Sequence, residues 1–229
     1  VEFAVSDSSS IRPVKGRVAL SRRVVLAGAL QSLALLAACS AAPPSPEPAP
    51  TASPAPLSRG PACALPPVVR PTTVPYPGYT QMEPSTGLHV TGEAQEIDPI
   101  SYRLKVIGLV EQPLSLTYDD MRCLPKVQAR VSLTCPGFFT DVADLAGATF
   151  ADLLALAQPR SQASRIRLTS VEGYTMPFSL DDVLAQDNFL AYQWKDEPLP
   201  PSHGFPLRAV FPRQSGGNWV KWVTQIEVS

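Results

Sequence analysis

The chain has 229 residues and 26 prolines, where ordinary usage would give about 11. Hydrophobic content of 45% and 13 glycines without triplet spacing exclude a collagen-like or uniformly disordered chain. The formal net charge of −1 is unevenly spread: residues 1–38 carry +3, residues 39–78 carry +1, and residues 79–229, with 12 basic and 17 acidic side chains, carry −5. A domain of that sign lacks the basic footprint that polyphosphate backbones need, so nucleic acid is not an expected partner; a net charge of that sign does not exclude a local basic pocket for one small anion.

In chain order, Ser21-Arg22-Arg23 leads into an apolar run from Val24 to Ala38, followed by Cys39. The run is 15 residues, short of the ~20 a spanning helix requires. A basic segment, a short apolar segment and small residues before a cut read as an export signal over residues 1–38. The paired arginines resemble a twin-arginine signal, with Val25 and Ala27 departing from that pattern, and Leu36-Ala-Ala-Cys39 resembles a bacterial lipobox. These features imply a protein exported to the outer face of a bacterial cell membrane, periplasmic or extracellular, and anchored by a lipid on Cys39. Half of the prolines, 13, fall between Pro43 and Pro77. With alanine and serine they favour an extended chain, so residues 39–78 read as a tether.

Residues 79–229 are enough for one domain with its own core. Strands are expected over Tyr102–Val110, Ala129–Thr134, Arg165–Ser170, Tyr174–Phe178, Phe189–Trp194, Leu207–Phe211 and Trp219–Val228, each β-rich or alternating. Short helices are expected around Thr117–Arg122, over Phe150–Ala157 with Thr149 as its N-cap, and from Ser179 or Leu180 to near Ala185. Many short strands and few short helices predict a mainly β, α+β fold.

Of the four cysteines, Cys39 is committed if acylated, and an odd three remain. A bridge between Cys63 and Cys123 would pin the tether to the domain in an oxidising compartment, leaving Cys135. Cys135 stands where a strand meets Pro136-Gly137, either as a buried core thiol or projecting into a cavity. The chain has no zinc spacing, no Cys-x-x-Cys-His, no Gly-x-Ser-x-Gly elbow and no Gly-rich phosphate loop. His89 and His203 are the only imidazoles that could serve Cys135 as a base.

Four ordered segments resemble the molybdopterin-binding domain of the sulfite oxidase family. They are Tyr102–Val110 with Leu114-Ser-Leu116; Val131-Ser-Leu-Thr-Cys135-x-Gly137; Glu172-Gly-Tyr174 with Leu180; and Leu190-Ala-Tyr192 through Pro198-Leu-Pro200-x-x-His203-Gly-x-Pro-x-Arg208 to Val220-Lys-Trp222. The resemblance implies a sulfite-oxidase-like fold, a molybdenum–molybdopterin cofactor and two-electron oxygen-atom transfer. It implies Cys135 as the thiolate ligand, a soft donor suited to such a metal, and Tyr174 as the residue that positions substrate or relays a proton. His203, Arg208 and Lys221 are implied around the pterin phosphate, with His89, Gly137 and Asn218 as further cofactor contacts. The family's haem and C-terminal dimerisation modules have no counterpart in this sequence, which implies a separate electron carrier, a cytochrome or membrane redox protein.

The departures bear on substrate. Gly87–Gly92 contains no arginine where sulfite oxidases carry one; Gly137-Phe-Phe139 replaces a basic run; and Asn218 replaces an arginine. Among a small oxyanion, a sulfoxide and an N-oxide, the loss of cations points away from a dianion such as sulfite. The alternative from another class is a cofactor-binding or scaffold lipoprotein of the same fold without catalysis.

Overall fold

The computed structural model describes residues 55–56 and 63–229, except Gln186. The leader, the lipobox cysteine and most of the proline-rich segment lie outside the described residues.

Strand β1 (Ala55–Pro56) is followed by a hairpin of β2 (Gln81–Glu83) and β3 (Leu88–Val90). Then come β4 (Leu104–Gly108), β5 (Leu114–Leu116) and helix α1 (Tyr118–Arg122). Thr117 caps α1 by accepting from the Asp120 amide, and the Asp120 carboxylate accepts from the Thr117 backbone in return. The long antiparallel ribbon of β6 (Lys126–Cys135) and β7 (Phe139–Thr149) leads into α2 (Phe150–Ala157). After β8 (Arg165–Ser170), β9 (Thr175–Ser179) and α3 (Leu180–Leu184), the chain closes with β10 (Phe189–Trp194), β11 (Glu197–Pro198), β12 (Arg208–Val210) and β13 (Val223–Val228). Thr149 and Ser179 cap α2 and α3 by accepting from Asp152 and Asp182 amides, which satisfies donors that have no partner inside the helix.

Two sheets result. One has the order β1-β5-β4-β13-β8-β9, with β13 parallel to β4 and antiparallel to β8. The other runs β11-β10-β7-β6, with β12 also paired to β10. Their apolar faces and α2 share one core, which joins Leu104, Val106 and Ile226 to Leu145, Leu190 and Phe150. Phe211 stacks on both Phe150 and Phe178, at 5.5 and 4.4 Å between ring centroids, and so ties α2, β9 and the segment after β12 together. The mainly β, α+β architecture is the expected one, and several element boundaries coincide with expectation.

Four features differ. The 11-residue β7 has no counterpart among the expected strands. Its sequence, Phe-Thr-Asp-Val-Ala-Asp-Leu-Ala-Gly-Ala-Thr, lacks a β-branched alternation, and pairing on both edges makes it a strand. At Gly147 a Cβ would lie 1.9 Å from the Leu190 carbonyl oxygen, so close approach of β10 requires glycine there. The expected strand at Tyr174 starts one residue later, because Tyr174 belongs to the turn after β8. The strand expected from Trp219 starts at Val223. The indole of Trp219 donates to the Phe211 carbonyl at 2.8 Å and that of Trp222 to the Pro201 carbonyl at 2.8 Å, holding 219–222 off the sheet. Finally, the chain is fastened to the domain before Tyr79: Cys63 and Cys123 form a disulfide, Arg122 donates to the Pro66 carbonyl at 3.2 Å, and Val68 packs against the core. The last part of the expected tether is therefore a strap on the domain surface.

Candidate active site

The β6–β7 ribbon supplies one wall of a cleft. Its register places Cys135 opposite Phe139, Leu133 opposite Asp141 and Val131 opposite Ala143. Side chains two residues apart share a sheet face, so Leu133, Cys135, Phe139, Asp141 and Ala143 all line the cleft. The ribbon turns at Pro136-Gly137, where the Phe138 amide donates to the Cys135 carbonyl at 3.0 Å and Gly137 has φ +81°. Proline followed by a glycine at positive φ is the preference of a tight turn of this kind. Gly137 thus turns the ribbon that presents Cys135, and it does not line the cleft.

The opposite wall comes from the run between β11 and β13. His203 ends a single 3₁₀ turn (Pro201–His203), Arg208 begins β12, and Gly216 and Lys221 follow in the irregular segment. The β3 segment adds His89 and Thr91. Counted out to its open mouth, the cleft encloses about 640 Å³. Gly216 faces the thiol: a Cβ there would come within 2.6 Å of Cys135 Sγ and 2.9 Å of Leu133 Cδ2. Only a residue without a side chain leaves that sulfur its place.

Cys135 is the one free cysteine among the described residues. Partial burial pushes its thiol up, Arg208 pulls it back and Asp141 adds to the rise. Arg208 is the strongest cation of the cleft, although burial lowers it to about 10. It donates to the His203 carbonyl at 3.3 Å, lies 5.6 Å from the Trp219 ring, and leaves a buried Nε with no partner among the described residues. Lys221 donates to the carbonyls of Ser202, at 2.9 Å, and Thr91. Burial, with Arg208 nearby, pushes its ammonium down to about 7. Two partly buried cations side by side, one with an unpartnered buried N–H, are a site for an anion.

Behind this wall lies a polar cluster. His203 Nε2 lies 2.7 Å from Glu83 Oε2, which also accepts from Ser202 Oγ at 3.0 Å and Thr86 Oγ1 at 3.1 Å. The hydrogen bond from His203 holds the Glu83 carboxyl below its usual range despite burial. Burial and Arg208 keep the His203 ring below its ordinary value. A second pair faces the cleft itself: His89 Nδ1 lies 2.7 Å from Asp141 Oδ1, and the His89 backbone amide donates to Asp141 Oδ2 at 2.7 Å.

Of the expected site residues, Cys135, His89, His203, Arg208 and Lys221 come together in the cleft. Tyr174, Asn218 and Gly137 do not line it. Tyr174 stands at the rim, 43% exposed, with its phenol donating to the Gly217 carbonyl at 3.1 Å. Asn218 donates to Gln214 Oε1 at 2.6 Å on the side of a separate groove. Phe139 lines the cleft, whereas Phe138 points into solvent. Asp141, Gly216 and Glu83 were not expected. Alternation after the Pro-Gly turn (Phe139, Asp141, Ala143) could have revealed Asp141. No local signal marks Glu83, which is 120 residues from His203.

A partly buried thiol and paired cations, in a cleft walled by the β6–β7 ribbon, β3 and the run between β11 and β13, are the setting of a molybdopterin-binding oxidoreductase domain. Residues 91–229 match the family described as oxidoreductase molybdopterin binding domain, and the chain belongs to that family. It is 33% identical over 131 residues to the uncharacterized oxidoreductase YuiH of Bacillus subtilis (strain 168), covering 57% of this chain and 66% of that protein. It is 30% identical over 162 residues to the mitochondrial sulfite oxidase of Rattus norvegicus, covering 58% of this chain and 30% of that one. With an NADH nitrate reductase of Ulva prolifera it shares 31% identity over 163 residues, covering 56% and 19%. The chain thus spans less than two thirds of the length of each of these relatives. The crystal structure of the sulfane dehydrogenase SoxCD from Paracoccus pantotrophus shares the fold, with a TM-score of 0.59 at 24% identity over 64% of this chain and 43% of that one.

The donor set fits the family's molybdenum–molybdopterin cofactor: a lone thiol, an arginine fork with an unused N–H, a lysine, and a glycine that leaves room beside the sulfur.

Proposed function

We propose that the chain is an extracytoplasmic molybdenum-cofactor oxidoreductase that transfers an oxygen atom and two electrons, with Cys135 as the protein's thiolate ligand. The observation that carries this reading is the unpaired thiol sharing one cleft with the partly buried Arg208 and Lys221. The bound cofactor supplies a metal centre that exchanges an oxygen atom and an electron pair with substrate. Arg208 and Lys221 would bind its phosphate and neutralise it, and His203, braced by Glu83, would complete that end. Gly216 keeps the space beside the sulfur open.

With these cations committed to the cofactor, the substrate end consists of Phe139 and the His89–Asp141 pair. That end has an aromatic face and a carboxylate, and no arginine stands there among the described residues. Such a surface favours an uncharged oxygen donor, a sulfoxide or an N-oxide, over a dianion. The disulfide between Cys63 and Cys123 supports an oxidising compartment. Together with the Arg22-Arg23 and Leu36–Cys39 motifs it supports export and a lipid anchor on Cys39. Electrons are exchanged with a separate carrier protein.

Protein produced in a host that makes the cofactor should contain near-stoichiometric molybdenum, and Cys135→Ser should lose it while remaining folded. Molybdenum retained in Cys135→Ser would refute the ligand assignment. Stoichiometric cofactor without turnover of any sulfoxide, N-oxide or oxyanion would make the chain a binding module. Efficient sulfite oxidation with inert sulfoxides and N-oxides would overturn the substrate class.

A further inference from the structure

The cleft has three walls, and they are not held in the same way. The β6–β7 ribbon is paired to β10, and β12 is paired to β10 as well. The third wall is an arm over residues 79–91, the β2–β3 hairpin with its flanks, whose Leu88, His89 and Thr91 line the cleft. Among the described residues, every backbone–backbone hydrogen bond of this arm closes within it or onto Gly78, and none joins it to either main sheet. Its polar links to the body each use a side chain, and they reach residues of the other two walls. Glu83 Oε2 lies 2.7 Å from His203 Nε2 and accepts from Ser202 Oγ at 3.0 Å. Asp141 holds His89 by ring and amide, and Lys221 donates to the Thr91 carbonyl. A glycine at positive φ stands at each end of the arm, Gly78 at +120° and Gly92 at +79°. A Cβ on Gly92 would meet only Trp222, at 4.0 Å, so backbone conformation and not space calls for glycine there.

We propose that the arm over residues 79–91 is a lid, hinged at Gly78 and Gly92, that opens to admit the cofactor and closes when its anionic end occupies the cleft. The proposal rests on the molybdenum-cofactor reading above. The arm is the wall that can move: parting the ribbon or β12 from β10 breaks strand pairing, whereas the arm opens by releasing side-chain links. Closure also carries costs. Glu83 Oε1 is buried without a partner among the described residues. The Lys221 ammonium bridges the Thr91 carbonyl of the arm and the Ser202 carbonyl of the opposite wall, close enough to Arg208 for the two cations to repel. Without an anion this repulsion opposes closure, because opening frees Lys221 from Thr91 and lets water reach both charges. An anion bound to both cations reverses the sign. Lid closure and anion binding therefore favour each other, and by linkage each strengthens the other by the same factor.

The test is hydrogen–deuterium exchange read by mass spectrometry on the full chain, produced in one host that makes the cofactor and in one that does not. In cofactor-free protein the hydrogen-bonded amides of residues 79–91 should exchange at least about tenfold faster than those of β4 and β13. In molybdenum-loaded protein the arm should slow by about tenfold or more, with β4 and β13 unchanged. Gly92→Ala places an L side chain at φ +79°, which penalises the closed backbone. It should speed arm exchange by about fivefold or more and molybdenum release from the loaded protein by a similar factor. Glu83→Gln, which weakens the link to His203 and leaves the hinge alone, should act in the same direction. In both variants β4 and β13 should exchange as in the wild type. Arm amides as slow as β4 and β13 in cofactor-free protein overturn the lid, as does arm exchange that rises in the variants only together with β4 and β13. Fast arm exchange that is equal with and without cofactor overturns the coupling to the anion. Wild-type molybdenum release in both variants overturns the role in cofactor entry. Protein from the first host without molybdenum overturns the functional reading and the coupling with it, whereas the hinge stands or falls on the cofactor-free protein.

Discussion

Gly216→Ala probes the thiol's surroundings without touching a charge. The added Cβ would lie 2.6 Å from Cys135 Sγ and 2.9 Å from Leu133 Cδ2, both inside ordinary contact. Overpacking of this kind costs about 1–3 kcal/mol. Gly→Ala also removes freedom from the unfolded chain, which offsets about 0.4–1 kcal/mol. The net expectation is a loss of about 1–2 kcal/mol, or roughly 2–8 °C in thermal midpoint for a domain of this size. Gly217→Ala is the control, because a Cβ there meets nothing within 4 Å. It should be neutral or stabilising by up to about 1 kcal/mol. Thermal unfolding by circular dichroism under non-oxidising but non-reducing conditions, with molybdenum measured on the same samples, separates the two variants. Gly216→Ala should also lose cofactor, since relief requires the sulfur to rotate from its position, and Gly217→Ala should keep it. In a Cys135→Ala background the Gly216→Ala penalty should shrink, giving a coupling of about 1 kcal/mol. Equal midpoints and equal molybdenum in the two glycine variants would refute the claim that Gly216 makes room for the thiol.

Two further outcomes follow from the strap and the buried pair. The Cys63–Cys123 bridge spans 60 residues, for which loop-closure entropy predicts about 4 kcal/mol. Replacing both cysteines by alanine should lower the midpoint by roughly 10 °C, with no loss of molybdenum; an unchanged midpoint would show that the strap contributes no stability. Acid should destabilise the domain in two stages. His203, held below its ordinary value by burial, binds its proton more readily in the unfolded chain, so stability begins to fall once the pH drops below 6.5. Glu83, held down by its hydrogen bond from His203, contributes stability above 4.5 that is lost as the pH falls through its lower folded value. Urea unfolding at pH 7.5, 5.5 and 4.0 should show both losses in the wild type and only the first in Glu83→Gln; a second stage retained by Glu83→Gln would assign it to another carboxylate.

The helices were legible because their starts are written locally: Thr117, Thr149 and Ser179 each cap a turn whose third residue is Asp120, Asp152 or Asp182. Strands β8 and β10 were legible from continuous β-rich runs. Strand β7 was not, because Gly147 and its neighbouring alanines are chosen by how closely β10 approaches, a property of the partner strand. The irregular run from Trp219 to Trp222 looked like strand, because nothing in its composition shows that both indoles will bond to distant carbonyls.

The same division holds for the site. The resemblance to the family singled out Cys135, His203, Arg208 and Lys221, because the ordered spacing of the His203–Lys221 stretch and the cysteine after a strand are linear patterns shared with it. Tertiary structure decided which candidates meet. It turned Asn218 toward Gln214, left Tyr174 at the rim, and used Gly137 as a turn residue. It also brought in Glu83, Asp141 and Gly216, whose parts rest on contacts spanning 120, 52 and 81 positions in the chain. A ligand type can be read from one residue and its neighbours in sequence. The hydrogen bond that orients an imidazole, or the space that frees a sulfur, exists only once β3, the β6–β7 ribbon and the run between β11 and β13 have come together around the cleft.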